Sequence, residues 1–281
     1  MHQLVDIVNQ HRQRQGMGAI LEDELQVRDS VNCVEPDDAH PDLPSLCDVN
    51  VMQKQVFLQQ VIASFNSTPT LNNVIHGLRE IRLGKRNGSR TSYFPSRKNA
   101  PGNLYSVYLP MDRRVEARYA MELERSMNVL AFRVQAVELG IPDGKAYPDF
   151  LILDTAGRLH VREVKAYKRY LDEREIKKFG YMTSKLASWG VGFAVVDTAD
   201  LSDDAKYENL QWLHQQVPDI SVMNELDEFL RYDFKVSTFG KLKAACRDMG
   251  LSESVVPYAL FTEQLKVDWS HTINDDSEVR K

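Results

Sequence analysis

The stretch from Tyr147 to Lys165, Tyr-Pro-Asp-Phe-Leu-Ile-Leu-Asp-Thr-Ala-Gly-Arg-Leu-His-Val-Arg-Glu-Val-Lys, constrains the fold more than any other part of this chain. Two apolar runs, Phe150 to Leu153 and Leu159 to Val164, flank a Thr-Ala-Gly turn, and the pattern predicts a β-hairpin. Such a hairpin sets Asp149 at the start of one strand. It sets Glu163 and Lys165 on one face of the next, because alternate strand residues share a face. Two carboxylates and a lysine converging at the edge of an apolar core can hold a hard divalent cation and position a water beside it. The same residues also suit an ordinary solvated strand with a cross-strand ion pair, so the context decides. Downstream, Leu171 to Ser188 reads as an amphipathic helix with Ile176, Phe179 and Leu186 on one side. It leads into Val191 to Val196, a short apolar run of the buried-strand type. Strand, hairpin, helix and buried strand in that order predict a mixed α/β core.

A chain of 281 residues, 43% of them apolar, can hold one large core or two modest domains. No apolar run approaches the roughly 20 residues needed to cross a bilayer, so no membrane partner is expected. Met1 to Arg14 mixes polar and apolar residues, without a basic-then-apolar leader. Cys33, Cys47 and Cys246 are scattered and form no Cys-x-x-Cys pair, which suits free thiols of a reducing cytoplasm and argues against zinc. The net charge of −5 hides an asymmetry. Residues 21–50 carry nine acids and Arg28 as the sole base, whereas residues 77–98 carry seven bases and one acid. Residues 158–178 carry eight bases against four acids. Two basic blocks that bracket the hairpin are a candidate contact with nucleic-acid phosphates.

Three regions follow. Residues 1–75 are expected to form an N-terminal helical extension, partly flexible, with helices near Leu4 to Arg14 and Val51 to Phe65 joined by an acidic linker containing Pro36, Pro41 and Pro44. Residues 76–217 hold the α/β core. Within them, residues 76–105 are read as mostly loop, Leu104 to Leu109 as a strand and Arg113 to Ser126 as a helix. Periodicity alone makes Glu116 a surface carboxylate paired with Arg113 or Arg114, with Glu124 able to share its face. Residues 218–281 form a small C-terminal unit: a helix capped by Ser237 or Thr238 and by Gly250, a second helix from Ser252 to about Phe261, and a strand at Leu265 to Trp269. Helix, turn, helix, strand is the order of a winged helix. The second helix has no Lys or Arg, so protein docking is favoured there over DNA reading.

An ordered series of segments resembles the TnsA-type endonuclease subunit of heteromeric, Tn-seven-like transposases, within the PD-(D/E)xK nuclease superfamily. The segments are Gly-Lys-Arg-Asn-Gly-Ser-Arg-Thr-Ser-Tyr-Phe-Pro-Ser-Arg (84–97), Arg-Arg-Val-Glu-Ala-Arg-Tyr-Ala-Met-Glu-Leu-Glu (113–124), Val129 to Glu138, the Asp149 hairpin, and Leu-Asp-Glu-Arg-Glu-Ile-Lys-Lys (171–178). The resemblance covers residues 77–200 well and the C-terminal region more loosely. The N-terminal extension departs from the pattern; a partner-docking arm is one reading of it.

The resemblance implies a restriction-endonuclease-like fold, a mixed sheet flanked by helices, and metal-dependent cleavage of DNA. It maps the helix glutamate of the site onto Glu116, the bridging metal ligand onto Asp149 and the second hairpin ligand onto Glu163. The Val164 carbonyl would face the cation, and Lys165 would orient or activate the attacking water or stabilise the phosphorane charge. Mg²⁺ is the implied cofactor, and Mn²⁺ suits the same hard oxygens. Lys85, Arg86, Arg90, Arg97, Lys98, Arg113 and Lys168 are the candidate contacts to DNA. The implied role is nicking the 5′ ends of a transposon in a bacterial, nucleoid-associated complex. Its partners there would be double-stranded transposon ends, a DDE-type transposase subunit and an AAA+ ATPase regulator. Two alternatives are a stand-alone restriction or repair nuclease and a non-catalytic DNA-binding assembly subunit. His160 has the opposite strand parity to Glu163 and is set aside as a ligand. Trp189, Trp212 and Trp269 are expected as core anchors, and Gly84, Gly88 and Gly102 form no phosphate-binding loop.

Overall fold

A computed structural model describes residues 2–21, 24–25, 46–67, 85–86, 89–90, 92–100, 106–111, 113–217 and 222–281. Helices α1 (His2–Arg14) and α2 (Leu46–Asn66) come first; the proline-containing linker between them lies outside the described residues. Strands β1 (Lys85–Arg86) and β2 (Ser89–Arg90) pair antiparallel, and β3 (Ser92–Ser96) pairs antiparallel with β4 (Val107–Met111). The loop expected over residues 76–105 therefore contains three short strands. They are too short, and too rich in Arg, Ser and Pro, for an alternating apolar pattern to show. Next come α3 (Arg114–Arg125), β5 (Val129–Val134) and a small hairpin of β6 (Leu139–Ile141) and β7 (Gly144–Ala146).

The predicted hairpin is β8 (Phe150–Asp154) and β9 (Leu159–Val164). Asp154 builds its turn by accepting the N–H groups of Ala156 (3.0 Å) and Arg158 (2.8 Å). Gly157 closes it at φ +74°, where a Cβ would lie 2.5 Å from Leu25 Cδ2. Helix α4 (Glu173–Ser188) starts on an Asp172–Glu175 capping box, so both carboxylates satisfy orphan amides of its first turn. It carries the chain to β10 (Gly192–Val196). The central sheet runs β10-β9-β8-β5; β10 is parallel to β9 and the other pairs are antiparallel, a mixed sheet with helices on both faces.

Strand parity sorts the two faces. Phe132, Val134, Phe150 and Ile152 pack towards α3 and the C-terminal elements, whereas Leu130, Leu151, Leu153, Leu159 and Val161 pack against α1, α2 and α4. Leu4, Val8, Phe57 and Val61 lie fully buried in this second core. The N-terminal helices are thus a wall of the α/β core and not an arm standing away from it. Helix α4 turns Phe179, Met182 and Leu186 inward, while Ile176, expected on that apolar side, is exposed.

The remaining elements are α5 (Asp204–Gln216), α6 (Met223–Arg231), β11 (Val236–Thr238), α7 (Phe239–Asp248), α8 (Val255–Phe261), β12 (Lys266–Val267) and β13 (Glu278–Arg280), the last three strands in the order β11-β13-β12. Every residue of α8 is buried, and its core is continuous with α5 and α3. The helix is interior, which explains why it carries no Lys or Arg. Trp189 is buried, as expected of a core anchor, and Trp212 and Trp269 are partly buried against the core. Among the described residues, no helix is long and apolar enough to cross a membrane.

Candidate active site

One end of the central sheet gathers the carboxylates. Phe150 pairs with Arg162 across β8 and β9, so the next step outward sets Asp149 opposite Glu163. Asp149 Oδ2 accepts the Val164 N–H at 2.7 Å, which fixes its carboxylate against β9. Glu116 reaches the same place from the first turn of α3; it is 4% exposed, a buried carboxylate and not the surface one that periodicity suggested. Asp149 is held well above the usual carboxylate range. Burial is the main cause, the charges of Glu163 and then Glu116 add to it, and the Val164 N–H and Lys165 oppose it. Glu163 is buried as well, and its Oε2 has no hydrogen-bond partner among the described residues.

Lys165 follows Glu163 on the same face of the strand. Its Nζ lies 3.4 Å from Glu163 Oε1 and 2.9 Å from Glu175 Oε1, and 5.5 Å from the centre of the Phe179 ring. Burial works against its charge, but the hydrogen bond to Glu175 and the Glu163 charge outweigh it, and its pKa lies above the ordinary lysine value. The group is therefore an anchored ammonium donor. A side chain held this way orients a water or steadies a growing negative charge and does not take up a proton.

Two members of this constellation escaped the sequence reading. Glu175 was legible only as half of a capping box, by its spacing from Asp172; its second oxygen positions Lys165. Gln135 sits directly across from Asp149 on the other side, donating its N–H to the Asp149 carbonyl at 3.0 Å. It has φ +46°, is 2% exposed, and its Oε1 has no partner among the described residues. A non-glycine left-handed residue with an orphan buried oxygen is strained twice over, and such strain concentrates at functional sites. No pattern in the sequence marks it.

The residue set fits a hard divalent cation. Three carboxylates crowd a low-dielectric strand end, Asp149 is pushed towards protonation by burial and then by the other two, and Glu163 keeps an unpaired oxygen. Among the described residues no group of three or more His, Cys, Asp or Glu side chains is placed to hold a metal ion, so a cation here would be held by one or two carboxylates and by water.

The candidate DNA contacts divide. Lys85, Arg86 and Arg90 lie on the β1–β2 pair, Lys85 opposite Arg90, and their side chains lie outside the described residues. Arg113 is exposed at the start of α3, and Lys168 is exposed as well, paired with Asp200 at 2.5 Å. Arg97 and Lys98 turn inward. The buried Glu124 accepts from Ser96 Oγ (2.7 Å), Arg97 N (2.7 Å) and Lys98 N (3.1 Å), and the Arg97 guanidinium donates to the His214 carbonyl. Lys98 Nζ donates to the carbonyls of Ser126 and, at 2.7 Å, Val129; burial lowers its pKa to about 8. These two bases brace the end of α3, so the phosphate-contact reading is withdrawn for Lys98, and the Arg97 guanidinium already serves the fold. Glu124 belongs to this brace and not to the Asp149 cluster.

Comparison of the chain with protein-family models and with curated proteins gives no match.

Proposed function

We propose that this chain is a metal-dependent DNA endonuclease that nicks the 5′ ends of a transposon as one subunit of a heteromeric cut-and-paste transposase. The observation that carries the reading is the convergence of Glu116, Asp149 and Glu163 on one sheet end, with the anchored Lys165 ammonium beside them. The mixed β10-β9-β8-β5 sheet, with helices on both faces and its acids at one end, supports a PD-(D/E)xK core. The β11-β13-β12 sheet, with α7 and α8 inserted after its first strand, supports a winged helix.

Asp149, Glu163 and the Val164 carbonyl would hold Mg²⁺ or Mn²⁺, with Glu116 completing the set directly or through water. The bound cation supplies a more acidic water and screens charge on the phosphoryl oxygens. Lys165, tied to Glu163 and Glu175, directs its N–H donors at the attacking water or at the oxygens that gain charge. Water oxygen bonds to phosphorus, the P–O3′ bond breaks, and the products are a 3′ hydroxyl and a 5′ phosphate. The double-stranded transposon ends, a DDE-type transposase and an AAA+ regulator are the partners of this reading.

The test is strand-specific cleavage of end-labelled transposon-end DNA with Mg²⁺, with and without the neighbouring transposase. Nicking at the 5′ end that disappears in Asp149→Ala supports the proposal, and cutting that ignores Asp149 refutes it. Cutting at full rate without the transposase favours a nuclease that works alone.

A further inference from the structure

Just beyond Lys165 the chain makes a short 3₁₀ turn, Lys168–Tyr170, whose side chains face outward. Tyr167 is 49% exposed and Tyr170 69%. Their rings meet edge to face at 5.6 Å, and the Arg169 guanidinium stacks over both, 5.2 Å from the Tyr167 ring centre and 4.8 Å from that of Tyr170. Arg169 forms no ion pair with any described carboxylate, whereas its neighbour Lys168 does. The backbone beneath is pinned. Asp197 accepts the Lys168 N–H at 2.7 Å, Asp200 takes Lys168 Nζ at 2.5 Å, and the Ala166 carbonyl accepts Thr198 Oγ1 at 2.7 Å. Two half-exposed aromatic rings, set edge to face with a planar cation over both, stand on a pinned turn and keep part of their π surface open to solvent.

We propose that Tyr167, Arg169 and Tyr170 form a platform on which unpaired DNA bases stack beside the cutting site; the inference rests on the nuclease reading above for the nature of the nucleic acid. Bases offer π faces only when they leave the duplex, and aromatic and Arg faces bind them with little regard to sequence. The place suits this role. Tyr167 is two residues from Lys165 and Tyr170 five, so at about 3.3–3.6 Å per residue the platform lies within about 18 Å of it along the chain. That span is a few nucleotides. The local excess of bases over acids in residues 158–178 favours the polyanion over an acidic protein surface.

The experiment compares binding of the full chain, metal-free in EDTA, to a labelled duplex of about 20 base pairs and to the same duplex with a mismatch bubble of about four bases, the short end of single-strand site sizes. Wild type is expected to bind the bubble about tenfold or more tightly, and Tyr167→Ala/Tyr170→Ala to lose that preference. Tyr170→Phe keeps the ring and should keep the preference, whereas Arg169→Ala should reduce it. All three positions changed are exposed side chains, and unaltered melting temperatures confirm that folding is intact. Equal binding of both DNAs by wild type, or a double variant that still prefers the bubble, overturns the proposal. So does a double variant that fails only to join the transposase, which would make the turn a protein contact. Failure of the nuclease reading is separate: it appears as Asp149-independent cutting and leaves the bubble preference as it was.

Discussion

Asp149 reports on the site at the scale of one residue. Its carboxyl keeps a proton more readily in the folded chain than in the unfolded one, because burial and the Glu163 and Glu116 charges disfavour its ionised form. A raised folded pKa contributes stability that is present at low pH and lost as pH rises from the unfolded value, about 4, through the folded one. Without metal, therefore, the site should destabilise the protein increasingly towards neutral pH, and Mg²⁺ should offset the loss there while having little effect in acid. Melting curves with and without Mg²⁺ across pH check this. Asp149→Asn should melt higher than wild type in EDTA at neutral pH and show no Mg²⁺ shift; a lower melting temperature in EDTA would mean that the three carboxylates do not repel one another. Lys165 gives a second residue-level prediction. Glu175→Gln leaves an oxygen to accept the Asp172 N–H but removes the 2.9 Å ion pair, so the rate of nicking should fall while Mg²⁺ affinity holds. Equal loss of metal affinity would place Glu175 among the ligands instead.

At the scale of elements, the hairpin turn and the start of α4 carry the local design. Gly157→Ala should cost about 1–2 kcal/mol or more, because an L-residue is strained at φ +74° and its Cβ would meet Leu25; chemical denaturation measures it. Asp172→Ala should cost about 1 kcal/mol through loss of the cap on α4. These are also the elements that were legible in the sequence. The two apolar runs, the Thr-Ala-Gly turn, the helical spacing of α3 and α4 and the apolar β10 each carry a period that local physics dictates. Asp149, Glu163 and Lys165 were legible because strand parity places them. Glu116 was not legible from periodicity, which made it a surface residue; only the resemblance pointed to it, and the tertiary approach of α3 buries it. Short strands β1 to β3 and the β6–β7 hairpin have too few residues to show alternation. Ile176 has the right spacing for the core and faces solvent, since α4 buries the adjoining stripe through Phe179, Met182 and Leu186.

The whole molecule ties regions that composition separates. Leu4, Val8, Phe57 and Val61 cover the face of the sheet opposite α3, and α8 is swallowed by the core that α3 and α5 share. Removing residues 1–75, the extension that the sequence sets apart, would strip α1 and α2 from the face formed by Leu130, Leu151, Leu153, Leu159 and Val161. The truncated chain should lose soluble yield and cooperative melting, whereas an independent nuclease core would keep both. The same dependence holds the site, since Asp149 and Glu163 stand at the end of the sheet that these helices pack. The most direct measurement is therefore calorimetric titration of Mg²⁺ into the intact chain, wild type against Asp149→Ala. Saturable binding by wild type that disappears with Asp149 is the predicted result. Binding unchanged by the loss of Asp149, or no binding by wild type at neutral pH, would contradict the account.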